Sequence, residues 1–141
     1  MTTPIERWIL DTNVWVFGLR CDQGFPDCAL LLDQIGAFYL VIPLQVLKEL
    51  HLNLTEDEMR VFYQLINQCS EFAEQSWDSA PAERVGFYQQ RGCRKGDAVI
   101  AAHAEALAVD YIVTENRQFL QTIVDLPVKI LTPADARSRL S

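Results

Sequence analysis

The sequence predicts an α/β protein, a three-layer α/β/α sandwich around a mainly parallel sheet of four to five strands. Short apolar runs alternate along the chain with longer stretches of helical periodicity, which is the pattern of strand–helix–strand units. No repeat or low-complexity linker interrupts this alternation, and 141 residues are enough for one well-packed core. We therefore expect a single domain over residues 1–141.

Four short segments dense in β-branched or aromatic residues are the predicted strands. They are RWIL at 7–10, FYLVI at 38–42, DYIVT at 110–114 and VKILT at 128–132, with a weaker candidate around Trp77. Strands covered by helices on both faces are apolar throughout rather than alternating, and these runs fit that description.

The stretches between the strands carry helical spacing or helix-start signals. Proline suits the first turn of a helix, and Thr55 with Glu58 three residues later resembles a capping box. The predicted helices are 26–35, 43–54, 55 to about 74, 81 to about 90, 96–108, and a terminal helix starting at TPAD (132–135).

Composition indicates a folded protein without a membrane segment. Half of the residues are hydrophobic and 22% are charged, which is typical of a globular chain. The longest apolar runs, such as FYLVIP at 38–43, are far shorter than the roughly 20 residues of a membrane span. The N-terminus lacks a signal-peptide pattern. We expect a cytoplasmic protein with no membrane partner.

The four cysteines are scattered and form neither a C-x-x-C pair nor a zinc-ligand pattern with histidine. We interpret them as reduced thiols that pack as small hydrophobic side chains. A disulfide between Cys21 and Cys28 is the main alternative.

The net charge of −7 argues against a general nucleic-acid-binding surface, which usually shows an excess of basic residues. Carboxylates clustered to hold a divalent cation would also make a chain acidic. The charge therefore requires any polyanionic substrate to be bound locally, but it does not exclude a nuclease.

Polar residues follow two of the predicted strands. Asp11 comes after the first strand, and Thr114, Glu115 and Asn116 come at the end of the third. Ligands of open parallel sheets bind at the carboxyl ends of the strands, which makes these residues candidates for a site. The alternative is local, because Asp, Thr and Asn are also common helix caps: Asp11 or Thr12 would cap the next helix, and Thr114 or Asn116 a short helix after it. Both roles can coexist.

Two further acids lie on predicted helices. Glu49 is at the edge of the apolar stripe of its helix, although a single acid on a helix is commonly solvated. Asp97 precedes Ile100 by three residues and lies on the face that carries Ala101, Ala104 and Ala108. A carboxylate on a core face must be capped, paired or metal-bound. Capping of its own helix is the alternative for Asp97.

Each acid has a plain structural interpretation when it is considered alone. Together they place several oxygen ligands at one rim of a parallel sheet, without matching basic or sulfur partners. Such a set suits a hard cation, Mg²⁺ or Mn²⁺. Asp11 would then end its strand in order to hold metal.

Four blocks resemble the PIN-domain family, and within it the VapC-type toxin nucleases of bacterial toxin–antitoxin pairs. They are ILDTNVWV, VIPLQVLKEL, KGDAVIAAHAEALAVDYIVTENRQF and the closing VKILTP. The blocks span essentially the whole chain in the family's order. The third is the most specific, with an acid on an alanine-rich helix leading into a strand and T-x-N.

The resemblance implies an α/β/α fold, an endoribonuclease dependent on Mg²⁺ or Mn²⁺, an RNA substrate and a cognate antitoxin that blocks the site. Asp11, Glu49 and Asp97 match the family's three defining acids. The fourth acidic position of the family falls on Asn116, which removes one negative charge and puts a second metal in doubt. Glu115 is the neighbour that would compensate.

Auxiliary roles follow from position. Asn13 or Thr114 would position a water or a ligand at the acids. Basic charge close to the acids would bind substrate phosphates, although a basic run can also be a solvated loop. The basic residues concerned are Arg91, Arg94, Lys95 and Arg117. His51 and His103 are assigned structural or surface roles, which argues against a histidine acid–base ribonuclease.

Several large apolar residues lie on the early helices. Core packing is the default interpretation, and any exposed remainder would suit an antitoxin helix or a homodimer. These residues are Trp15, Phe17, Leu30, Leu31, Ile35 and Phe62.

The main alternative function is a degenerate PIN domain that binds RNA or protein without cleaving, and Asn116 is its best support. A haloacid-dehalogenase-like phosphatase would need an acid at position 13, where this chain has Asn13. A response-regulator receiver would need an early pair of acids, which this chain lacks. A nucleotide-binding protein is disfavoured because neither a P-loop nor a dinucleotide-binding glycine motif occurs.

Overall fold

A computed structural model describes residues 5–122 and 128–141 of the chain. The strands are β1 (Arg7–Leu10), β2 (Tyr39–Ile42), β3 (Ala73–Gln75), β4 (Tyr111–Val113) and β5 (Lys129–Leu131). They form one sheet in the order β3-β2-β1-β4-β5, and every neighbouring pair is parallel. The predicted α/β fold class with a parallel central sheet is confirmed.

Helices connect the strands, as the alternation predicted. They are α1 (Thr12–Leu19), α2 (Pro26–Leu32), α3 (Leu44–Asn53), α4 (Glu56–Gln68), α5 (Ala82–Gln90), α6 (Lys95–Ala106), α7 (Arg117–Thr122) and α8 (Pro133–Leu140). The capping box at the start of α4 is confirmed, because Thr55 Oγ1 accepts from the Glu58 N–H and the Glu58 carboxylate accepts from the Thr55 N–H.

Both faces of the sheet are covered. Successive residues of a strand point to opposite faces, yet Trp8, Ile9 and Leu10 of β1 are all at most 1% exposed. Helices must therefore lie over both sides of the central strand, which gives the three layers. Trp8 stacks on Phe38 at 4.4 Å between ring centroids, and this pair fills the core at the start of β1.

The early apolar residues divide between core and surface. Trp15, Leu31 and Phe62 are fully buried, and Trp15 meets Phe62 edge to face at 4.7 Å. Phe17 and Ile35 are partly buried against this core, whereas Leu30 remains 44% exposed. Core packing therefore accounts for most of the set.

The region after α4 differs from the prediction. The helix ends at Gln68, not near Glu74, because Cys69 leaves helical geometry (φ −120°, ψ 33°) and a 3₁₀ turn follows. Strand β3 lies at Ala73–Gln75 rather than around Trp77, which is 65% exposed. An edge strand pairs through its backbone, so its position is not marked by an apolar run.

Three smaller expectations are also corrected. Helix α2 ends at Leu32 and not at residue 35. Helix α6 ends at Ala106, and Ala108 is an exposed residue with φ 54° rather than part of the core face. Pro43 and Pro81 are N-caps that precede the first helical residue.

All four cysteines lie in the described part of the chain and are free, so the Cys21–Cys28 disulfide is not formed. Within the described ranges, no helix combines the length and hydrophobicity that crossing a membrane requires.

Helix α6 is fixed against α5 by a polar cluster. The Arg84 guanidinium donates to both oxygens of Glu105, each at 2.7 Å, and the buried Tyr88 hydroxyl donates to the same carboxylate. A bidentate guanidinium–carboxylate pair sets geometry as well as adding free energy. This pairing holds the helix that carries Asp97.

Candidate active site

Asp11 is placed by the end of the central strand. Its backbone N–H donates to the carbonyl of Val113 at 2.8 Å, which extends the pairing of β1 with β4 by one residue. Its side chain then caps α1, accepting from the Thr12 N–H at 2.8 Å. The capping interpretation is confirmed for Asp11, and its site role stays a prediction.

Three donors hold the Asp11 carboxylate, which is only 5% exposed. Besides the Thr12 N–H, the Thr114 hydroxyl donates to its Oδ2 at 2.7 Å and the Asn13 amide donates to the same atom at 3.3 Å. Burial raises the pKa of Asp11, and these hydrogen bonds partly oppose that rise. Thr114 and Asn13, predicted as auxiliary residues, position Asp11 directly.

Glu49 is half-buried rather than solvated. Its carboxylate accepts from the Thr12 hydroxyl at 2.9 Å. The side chain also lies beside the start of α6, since a Cβ added at Gly96 would be 3.8 Å from Glu49 Oε2. Burial raises the pKa of Glu49, and the negative charges of Asp11 and Asp97 raise it further.

Asp97 is the third residue of α6, and the N-cap position belongs to Arg94. The predicted alternative, that Asp97 caps its own helix, is therefore wrong. Burial and then the charge of Asp11 raise the pKa of Asp97 to about 6, although Arg94 and a hydrogen bond from Asn116 oppose the rise. The raised pKa of Asp97 thus reflects its burial first and the nearby negative charge of Asp11 second.

Asn116 has two contacts of different kinds. Its Nδ2 donates to Asp97 Oδ2 at 3.1 Å, and its Oδ1 accepts from the N–H groups of Gln118 and Phe119 at 3.1 and 3.4 Å. The amide therefore caps α7 and orients Asp97 at once. As a donor to Asp97, it acts differently from a fourth carboxylate.

The predicted acids meet in one open cleft of about 320 Å³. Asp11 follows β1, Glu49 lies on α3 and Asp97 lies at the start of α6. Asn116, which follows β4, lines the same cleft. The cleft is lined by Asp11, Thr12, Asn13, Val16, Phe17, Glu49, Asn53, Asp97 and Asn116. In the described residues, none of the three acids forms an ion pair with a basic side chain.

Two lining residues had no predicted role in the site. Thr12 was considered only as a cap, but its hydroxyl binds Glu49. Asn53 donates to the backbone carbonyl of Glu49 at 2.7 Å. It follows Glu49 by four residues and therefore shares its helix face, a spacing that would have identified it.

The donor chemistry fits a hard divalent cation, because only carboxylate, amide and hydroxyl oxygens converge and no basic group neutralises them. The side chains as they stand are bound to protein donors instead. Across residues 5–122 and 128–141, no three His, Cys, Asp or Glu side chains form a group that could hold a metal ion.

The remaining predicted residues lie around the cleft. The Glu115 N–H donates to Asn13 Oδ1 at 3.2 Å, whereas its side chain is outside the lining set. The basic residues around the start of α6 are exposed, namely Arg91, Arg94 and Lys95. The positive charge of Arg94 lowers the pKa of Asp97. The side chain of Arg117 falls outside the described residues. His51 is exposed and bonds the Tyr63 hydroxyl at 3.0 Å, and neither histidine lines the cleft.

The sequence matches the family model of the PIN domain over residues 8–123, a span that contains all three acids and Asn116. The chain belongs to the PIN-domain family. Members of this family are generally nucleases that use divalent metals.

Solved structures share the fold of this PIN domain. FitAcB from Neisseria gonorrhoeae is 17% identical with a TM-score of 0.62, covering 90% of this chain and 98% of that one. VapBC2 from Rickettsia felis, bound to a DNA fragment from its promoter, is 18% identical with a TM-score of 0.58, covering 89% and 98%. PAE2754 from Pyrobaculum aerophilum is 14% identical with a TM-score of 0.55, covering 96% and 95%. A comparison with curated protein sequences gives no match.

Proposed function

We propose that this PIN domain is an endoribonuclease that hydrolyses phosphodiester bonds with Mg²⁺ or Mn²⁺. One observation carries the proposal: three carboxylates from the end of β1, from α3 and from α6 share a cleft, the charge of Asp11 raises the pKa of the other two, and none of the three forms an ion pair within the described residues. A folded protein retains such repulsion when an ion or a substrate compensates it. Members of the family are generally nucleases, which gives the reaction class.

Asp11, Glu49 and Asp97 would hold the ion, with Asn116 beside them. When bound, a divalent ion supplies a water of lowered pKa and positive charge at the phosphoryl oxygens. Thr114 and Asn13 fix the Asp11 carboxylate, and Thr12 and Asn53 fix Glu49 and the helix turn that bears it. Asn116 orients Asp97 without adding charge.

Substrate phosphates flanking the cut would be bound by Arg94, Lys95 and Arg117. Arg94 and Lys95 are exposed at the start of α6, on the same helix turn as Asp97. Binding confined to this turn agrees with a net charge of −7, because the rest of the surface would repel RNA. The proposal places the protein in the cytoplasm, where four free cysteines stay reduced.

The test compares cleavage by the wild type and by Asp97→Asn on a mixed pool of structured and single-stranded RNA, with Mg²⁺, with Mn²⁺ and with a chelator. Asp33→Asn, an exposed acid at the end of α2, is the matched control. We expect cleavage that needs metal, is lost in Asp97→Asn and is unchanged in Asp33→Asn. Cleavage by Asp97→Asn at the wild-type rate, or in chelator, would contradict the proposal.

The second candidate is a binding module without nuclease activity. It is favoured by Asn116 at the fourth acidic position, where an amide that donates to Asp97 replaces a carboxylate. Metal binding by calorimetry separates the two functions. If wild type takes up no Mn²⁺ at millimolar concentration and cuts nothing in the pool, the binding module is the correct assignment.

We also propose that the chain is the toxin of a toxin–antitoxin pair. The VapC-like blocks and the fold shared with FitAcB and VapBC2 support this role. Leu30 on α2 and Val61 on α4 are exposed apolar residues, at 44% and 45%, that an antitoxin helix would cover. Leu30→Glu should weaken inhibition by the product of the adjoining reading frame, while cleavage by the variant alone stays normal. Alternatively, the same surface would form a homodimer, and analytical ultracentrifugation of the purified chain measures its oligomeric state.

A further inference from the structure

A second polar pocket lies between α3 and α6, outside the acid cleft. Its volume is about 200 Å³, and its polar lining comes from Gln45 and Lys48 of α3, His103 of α6 and Ser79 of the loop before α5. His103 is only 3% exposed. Within the described chain its imidazole makes no hydrogen bond, and its ring nitrogens are not among the fully enclosed atoms without a partner.

The polar lining of this pocket is suited to an anion. Lys48 carries a positive charge, and Gln45, Ser79 and neutral His103 each offer an N–H or O–H donor. Burial, and then the Lys48 ammonium, lower the pKa of His103, which keeps the ring neutral at pH 7. No carboxylate contributes to the lining, in contrast to the acid cleft. An oxyanion would complete the missing hydrogen bond of His103 and pair with Lys48.

The pocket is close to the acids through α3. Gln45 precedes Glu49 by four residues and shares its helix face, and its side chain slightly lowers the pKa of that carboxyl group. Lys48 immediately precedes Glu49 in the chain. A nucleic-acid strand bound at the acids would therefore bring a neighbouring backbone phosphate toward this pocket.

We propose that the pocket formed by Gln45, Lys48, Ser79 and His103 binds a phosphate group, supplied by a nucleotide of the RNA that flanks the scissile bond. The inference rests on the proposed ribonuclease function for the source of the phosphate. The phosphate-binding property itself rests on the pocket alone.

The first experiment is a titration of the metal-free full chain with inorganic phosphate at pH 7 in chelator, followed by NMR of the imidazole signals. The chain has only two histidines, and His51 lines a neighbouring pocket with Lys48, so the His103 signals are assigned on the variant His51→Gln. We expect a saturable shift of the His103 signals. Lys48→Gln should weaken binding at least tenfold, Lys48→Arg should restore it, and Lys129→Gln, at an exposed lysine of β5, should leave it unchanged.

An unmoved His103, or a shift unaffected by Lys48→Gln, would overturn the site. A second arm measures binding of a short RNA with non-cleavable linkages. Weaker RNA binding by Lys48→Gln, and displacement of phosphate by the RNA, would support the backbone source. If phosphate binds but Lys48→Gln binds RNA like wild type, the RNA assignment is overturned in favour of free phosphate. Neither arm requires cleavage, so a failure of the ribonuclease proposal would be seen separately.

Discussion

At the scale of single residues, the acid cleft contains three carboxyl groups whose charged forms are disfavoured by burial. Asp11 is nearly inaccessible, Asp97 and Glu49 are half-buried, and the charge of Asp11 raises the pKa of both. Each is held by uncharged donors instead of by lysine or arginine. The metal-free protein should therefore be less stable than its core alone would make it.

Asp97→Asn should stabilise the metal-free protein. The pKa of Asp97 is about 6 in the folded state and near 3.8 in the unfolded chain. Between these values the native state binds the extra proton, so the free energy of unfolding falls as pH rises through this window and stays low above it. We expect a gain of about 1–2 kcal/mol at pH 8 after allowance for solvent screening.

Chemical denaturation in chelator at pH 8, 7 and 5 measures this effect. The difference between Asp97→Asn and wild type should shrink as pH is lowered from 7 toward 5, because wild-type Asp97 becomes protonated. Asp33→Asn should show no such trend. A variant less stable than wild type at pH 8 would contradict the prediction.

Thr114→Val should lower the free energy of unfolding, because it removes a buried hydroxyl that supports Asp11. The Thr114 hydroxyl is fully buried, donates to Asp11 and accepts from the Asn116 N–H at 3.0 Å. The Asn13 amide also donates to this hydroxyl, at 3.2 Å. Valine keeps the shape but removes all three hydrogen bonds, at a loss of about 1–3 kcal/mol in unfolding free energy. Thr114→Ser keeps the hydroxyl and should lose less than half as much. Urea denaturation measures the free energy of unfolding of both variants. Equal losses in Thr114→Val and Thr114→Ser would refute the hydrogen-bond explanation.

At the scale of elements, α6 presents its first turn to the Glu49 carboxylate. Gly96 leaves that approach open, since a methyl group there would stand 3.8 Å from Glu49 Oε2, an ordinary contact. The fold therefore tolerates a side chain at this position, but the space beside the acid would be filled.

Gly96→Ala should keep or slightly raise stability, by about 0.5 kcal/mol, because alanine favours a helix over glycine. We expect cleavage to fall roughly tenfold, a loss of about 1.4 kcal/mol in transition-state stabilisation. Gly86→Ala on α5 is the control, since an added Cβ there meets nothing within 4 Å. It should raise stability without affecting cleavage. Equal activity of the two variants would show that the space at Gly96 is not used.

Helices α1 and α2 approach each other at Gly18. An added Cβ would lie 2.5 Å from Leu32 Cδ1 and 3.0 Å from the Cys28 carbonyl oxygen. The leucine side chain can move, but the backbone carbonyl cannot do so without shifting α2. Gly18→Ala should therefore destabilise the protein by about 1–3 kcal/mol, despite its better helix propensity. A melting temperature at or above wild type would show that α2 shifts freely.

At the scale of the whole molecule, a divalent ion and the fold should stabilise each other. An ion that binds only the native state adds about 2.7 kcal/mol at a concentration 100 times its Kd. Mn²⁺ should therefore raise the wild-type melting temperature by several degrees. Asp97→Asn should begin higher in chelator and gain little from Mn²⁺. Equal shifts in both proteins would mean that the ion binds elsewhere.

The sequence predicted the elements well where local patterns determine them. Strand β1 was placed to the residue, and the capping box at Thr55 fixed the start of α4. It failed at β3, whose residues Ala73–Gln75 have no distinctive pattern. Their strand conformation depends on backbone pairing with Leu40–Ile42, more than thirty residues away.

The sequence by itself determined the fold class, the family and the identity of the three acids. These depend on spacing over two to four residues and on ordered motifs, which can be read along the chain. Only the tertiary structure decided that Thr114 holds Asp11, that Asn116 reaches Asp97, that Thr12 binds Glu49, and that His103 lies in a pocket with Lys48. The reason is that these contacts join segments far apart in the chain. Their geometry is fixed by packing of the sheet and helices, not by any local pattern.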